Sequence, residues 1–70
     1  MKGGEFLRKV RGLARRKRVH FAFFTAHGKG SHGTLQFGSA LTTVKDRNKE
    51  IGPGLLRAMC RDLGIDPREL

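Results

Sequence analysis

The sequence predicts an α+β fold of order α-β-β-β-α, with a three-stranded antiparallel sheet and two helices on one face. Three observations predict it. Apolar residues recur at helical spacing near both ends of the chain, and the middle is rich in β-branched and aromatic residues. The connections between the central segments are short, which makes the strands an antiparallel meander. Two amphipathic helices and a sheet then have one economical arrangement, both helices covering one face and water meeting the other. Seventy residues make this a single domain, 1–70. So small a domain buries a limited fraction of its surface.

Gly3 or Gly4 marks the start of the first helix. Phe6, Leu7, Val10, Leu13 and Ala14 form one apolar stripe, with Arg8, Lys9, Arg11, Arg15 and Arg16 around the rest. Lys17 and Arg18 fall in the last turn, where cations complement the carbonyl end of the helix dipole. Residues 19–25, with Val, three Phe and Thr, read as the first strand. Its phenylalanines are expected to pack in the core; the alternative is that one is partly exposed and able to stack on a base. A glycine-rich turn leads to the second strand, 32–37. Alternation sets Gly33, Leu35 and Phe37 on one face and His32, Thr34 and Gln36 on the other, so His32 belongs to the open, polar face. Gly38-Ser39 is the next turn and residues 40–45 the third strand. There Leu41 and Thr43 oppose Ala40, Thr42 and Val44, and neither set is plainly the inner one.

Asp46 to Ile51 is a polar connection. Gly52-Pro53-Gly54 opens the second helix, with proline at the first helical position. Leu55, Leu56, Met59 and Leu63 make its apolar face. Gly64 is expected as a left-handed cap with Ile65 folding back on Cys60 or Met59. Asp66-Pro67-Arg68-Glu69 has the form of a capping box.

Fifteen Lys and Arg against six Asp and Glu give a formal net charge of +9. A field of that size on a small body favours a polyanion, with nucleic acid first among the candidates. The lone Cys60 excludes an internal disulfide, suits a reducing cytoplasm and reads as a buried thiol. No apolar run approaches the roughly twenty residues needed to span a bilayer. No apolar stretch follows the basic start, so no signal peptide is expected.

The chemistry concentrates in His27-Gly28-Lys29-Gly30-Ser31-His32-Gly33. This contains G-x-G-x-x-G, but the dinucleotide fingerprint needs a strand before it and a helix after it, and here a strand follows. The spacing of His20, His27, His32 and Cys60 matches no zinc pattern, so no metal is expected. His32 is the candidate proton-transfer group. RNA cleavage needs a base for the 2′-hydroxyl and an acid for the departing 5′ oxygen, and one positioned histidine supplies about 10²–10⁴-fold. Lys29, Lys45 or Arg47 is placed to steady the phosphorane charge, and Ser31 to hold a phosphate oxygen or orient the ring. The basic helix, Arg15 and Arg16 included, offers a phosphate track or a solvated face.

The turn Gly30-Ser31-His32, followed by Lys49-Glu50-Ile51-Gly52-Pro53-Gly54-Leu55-Leu56 and closed by Leu63-Gly64-Ile65, resembles the HicA-type (YcfA-like) mRNA interferase toxins. The likeness runs over nearly the whole chain. It implies a double-stranded-RNA-binding-domain-like fold and an endoribonuclease that cleaves mRNA without metal or other cofactor, so inhibiting translation. It implies His32 as the single catalytic residue, and as partners mRNA and a HicB-type antitoxin that masks His32, with no membrane. Two other readings compete: a non-catalytic RNA-binding module on the same fold, and a basic structural protein bound to ribosomal RNA.

Overall fold

A computed structural model describes residues 1–25 and 32–70. The elements run α1 (Gly3–Lys17), β1 (Phe21–Thr25), β2 (Gly33–Phe37), β3 (Ala40–Val44), α2 (Pro53–Leu63) and a closing 3-10 turn, Pro67–Glu69. The order is the expected α-β-β-β-α. The three strands form one antiparallel sheet in the order β1-β2-β3, so β1 and β3 are its edges.

The apolar stripe of α1 accounts for its orientation. Phe6, Val10, Leu13 and Ala14 are buried, while Leu7 is only half-buried at the margin. The helix ends at Arg18, whose φ of 57° is left-handed, a conformation a non-glycine residue seldom adopts. The strand that follows is shorter than expected, because Val19 and His20 lie outside it and are exposed.

Sheet register decides what alternation in the third strand left open. The two-residue turn Gly38-Ser39 pairs Phe37 with Ala40, hence Leu35 with Thr42 and Gly33 with Val44. Gly38 takes a φ of 63° at the first turn position, where a two-residue hairpin favours glycine. The inner face of β3 is therefore Thr42 and Val44, both buried, while Leu41 and Thr43 face outward. Thr42 sits in the interior because its Oγ1 donates to Asp62 Oδ2 of α2 at 3.0 Å, so its hydroxyl is satisfied.

Leu35, Phe37 and Val44 meet both helices in one core, with Met59, Cys60 and Leu63 supplied by α2. Phe6, Leu35, Val10, Val44 and Cys60 are its largest fully buried side chains. Each such apolar side chain contributes about 1.5–3 kcal/mol on leaving water. Leu55 departs from expectation: it is 43% exposed, because burial in α2 follows Leu56, Met59, Cys60 and Leu63, and Leu55 stands on the flank of that stripe.

The connection after β3 is tied to the start of α1. The N–H groups of Gly3 and Gly4 donate to the carbonyls of Lys49 and Arg47 at 3.1 and 2.9 Å, which satisfies two donors a helix N-terminus leaves free. A Cβ at Gly3 would lie 2.5 Å from the Asp46 carbonyl oxygen, so this approach requires glycine. At the far end Gly64 caps α2 with φ 72°, and the Ile65 N–H donates to the Cys60 carbonyl at 3.0 Å. The capping box forms: Asp66 accepts from the Arg68 N–H and Glu69 accepts from the Asp66 N–H. Lys17 reaches Glu69 at 2.7 Å and ties the chain end to α1. Among the described residues, no helix is long and apolar enough to cross a membrane.

Candidate functional site

His32 immediately precedes β2 and is exposed. Gly33, Leu35 and Phe37 are buried, and Thr34 and Gln36 are not. The expected alternation holds, and the imidazole belongs to the face of the sheet that carries no helix. It lines a shallow depression of about 270 Å³ with Phe24, Thr25, Gly33, Thr34 and Thr43. Phe24, Thr34 and Thr43 form one cross-strand row, since Phe24 pairs with Thr34 and Thr34 with Thr43. Two threonine hydroxyls thus lie along the row beside the histidine. None of the described lining residues is a carboxylate.

Phe24 corrects the expectation that every phenylalanine of the first strand is interior. It is 57% exposed on the outer face. Phe21 and Phe23 alternate with it and pack against the core from the inner face. Their shielding is incomplete because β1 is an edge strand and α1 lies nearer the middle of the sheet, against β2.

Gly33 links the site to the interior. A Cβ there would fall 2.6 Å from Phe23 Cε1 and 2.8 Å from the Phe24 carbonyl oxygen. The Phe23 ring occupies the space that a side chain at 33 would need. The guanidinium carbon of Arg47 stands 5.7 Å from the centroid of that ring, within cation–π range.

The expected cationic residues separate by position. Lys45 follows Val44, which pairs with Gly33, so Lys45 and His32 leave the same end of the sheet, but exposed Lys45 lines a separate groove with Leu55 and Met59 of α2 and not the depression that holds His32. Arg47 is also at that end, but its head group sits over Phe23 on the helix side, and it does not line the depression. Arg15 and Arg16 are exposed near the C-terminus of α1. Gly3 and Gly4 contact the connection at the His32 end, and at about 1.5 Å per residue Arg15 and Arg16 stand roughly 18 Å further along the helix. Arg15 instead shares a groove with Arg11, Arg18 and His20 beside β1. Lys29 and Ser31 lie outside the described residues.

Cys60 is buried in the core, and burial first, then the nearby Asp66 charge, pushes its thiol pKa upward. That is the environment of an inert packing thiol. No three His, Cys, Asp or Glu side chains come together among the described residues.

Thr34 and Thr43 were not among the residues nominated from the sequence, and Phe24 entered only as one of the first-strand phenylalanines that the alternative reading left partly exposed. The length of the Gly38-Ser39 turn carried the signal for the threonines, since it fixes 34 opposite 43. Compared with protein-family models, curated proteins and solved structures, the chain finds no match.

Proposed function

We propose that this protein is a metal-independent endoribonuclease of the HicA kind, the mRNA interferase toxin of a type II toxin–antitoxin pair. The observation that carries the reading is the placement of His32: exposed, on the helix-free face, beside Thr34 and Thr43, in a chain of net charge +9. The element order also suits a double-stranded-RNA-binding-domain-like fold, and the sequence Gly30-Ser31-His32 supports the family resemblance.

In this reading neutral His32 takes the proton of a ribose 2′-hydroxyl. The 2′ oxygen attacks phosphorus, the P–O5′ bond breaks, and the imidazolium returns its proton to the departing 5′ oxygen. The products are a 2′,3′-cyclic phosphate and a 5′-hydroxyl. The Thr34 and Thr43 hydroxyls donate to non-bridging oxygens, and the positive field of the +9 domain offsets the charge that builds on the phosphorane. Cut messages stop translation in the cytoplasm. The natural partner is a HicB-type antitoxin that covers the open sheet face and so shuts His32 away from RNA.

The test is cleavage of a defined mRNA by purified protein in excess chelator, beside His32→Ala. The expected result is cleavage by the parent and a loss of at least 100-fold in the variant, with the melting temperature unchanged because His32 is exposed. Equal cleavage by both proteins overturns the assignment. The absence of a carboxylate or second imidazole among the described residues of the depression favours a second reading, a non-catalytic RNA-binding module. Binding without cleavage by the parent would select it.

A further inference from the structure

Phe24 is the largest apolar side chain the fold leaves in water, at 57% exposure, and it stands in the same depression as His32. Nothing in the interior requires an aromatic at this position: it points away from both helices, and its cross-strand neighbours are the small polar Thr34 and Thr43. A directly opposed pair in an antiparallel sheet sets its Cβ atoms about 4.5–5.5 Å apart, and the diagonal neighbour lies about 7–8 Å away. Thr34 is opposite Phe24 and His32 is two residues from Thr34, so the ring and the imidazole line one depression as diagonal neighbours.

An exposed ring beside two hydroxyls, on a domain of net charge +9, has the parts of a single-strand platform: a π-face for a base and donors for the backbone. We propose that Phe24 stacks on the base of an unpaired nucleotide and thereby holds the adjoining phosphodiester against His32, which makes single-stranded RNA the ligand of this face. Duplex RNA does not engage it, because bases inside a helix already have both faces covered. The stacking stands on the exposure and register of Phe24; only the identity of the bond presented to His32 rests on the ribonuclease reading.

The experiment uses a 2′-O-methyl RNA octamer, which lacks the attacking hydroxyl, as a single strand and annealed to its complement. Binding is measured for the parent, Phe24→Ala, Phe24→Leu and Phe24→Trp. Single-strand affinity is expected to fall about 5- to 150-fold in the alanine and leucine variants and to be retained in the tryptophan variant, with duplex affinity unchanged throughout. The chain has no tryptophan, so the emission of Phe24→Trp reports this site alone and is expected to be quenched by the single strand only. Phe24→Ala binding the single strand within twofold of the parent overturns the proposal and leaves the ring as part of a protein-binding face. Emission unmoved by the octamer overturns it too. The two readings fail separately. If affinity depends on Phe24 but an unmodified octamer is never cut, the ribonuclease reading falls and the platform stands. If the parent and Phe24→Ala cut that octamer with equal KM and kcat, the platform falls and the ribonuclease stands.

Discussion

Replacing Gly33 with alanine inserts one methyl group where the fold has closed around its absence. The backbone at Gly33 has no left-handed φ, so the glycine is not needed for its dihedral freedom. On backbone grounds alone alanine would stabilise this strand by about 0.5–1 kcal/mol. Opposing this, the new Cβ falls on the Phe23 ring, 2.6 Å from Cε1 and closer still to Cζ, and lies 2.8 Å from the Phe24 carbonyl oxygen. The ring can rotate away only by giving up its packing and its contact with Arg47, and the carbonyl belongs to a paired strand. Overpacking of this kind costs about 1–3 kcal/mol. The difference leaves Gly33→Ala destabilised by roughly 1–2 kcal/mol, a fall in melting temperature of about 4–16 °C for a domain of this size. Thermal melts followed by far-ultraviolet circular dichroism measure it. A double-mutant cycle with Phe23→Ala then isolates the ring: the double variant should be more stable than the sum of the two single losses implies. A Gly33→Ala protein that melts at or above the parent temperature, or a cycle with no coupling, refutes the reasoning.

Two further outcomes follow from the chemistry around the core and the chain end. The Cys60 thiol, buried and pushed upward in pKa, should resist a disulfide exchange reagent in the native protein and react fully once urea unfolds it; rapid native labelling would contradict its burial. Asp66 is held down to about 2, chiefly by the Arg68 side chain and then by the Arg68 N–H. A carboxyl depressed in the folded state stabilises it in full above the unfolded value near 3.8, and that contribution is lost as pH falls toward about 2. Acid melts should therefore show a decline across that interval that is shallower in Asp66→Ala; curves of equal slope would show that the cap is not coupled to folding.

Much of the architecture was legible because α1 and α2 have unambiguous stripes and explicit ends, Pro53 and Gly64 above all. The side chosen by His32 was legible for the same kind of reason. Leu35 and Phe37 had to face the helices, and period two carried the assignment back to 32. The third strand looked undecided because its composition was weighed alone. Thr42 counts as polar until Asp62 is seen to accept from it, whereas the two-residue turn would have set the register from β2. Phe24 was legible in part: alternation set Phe21 and Phe23 against Ala22 and Phe24, but with phenylalanine in both sets composition did not say which faced out. That depends on the register with β2, which pairs Phe24 with the outward Thr34. Arg47 was expected beside the histidine from its place after β3, yet a contact between the connection and β1 draws its head group to Phe23, and no local pattern announces such a contact.

A sheet with one bare side divides the labour of the chain. Positions 24, 32, 34 and 43 contribute nothing to the buried cluster, so evolution is free to rewrite them while the inner residues stay put. Descendants of this domain can change their appetite for a target, or lose reactivity altogether, without first acquiring a sturdier frame. The same freedom makes this face a convenient place to install new chemistry by directed selection, because variants that fail there will fail as reagents and not as folded proteins.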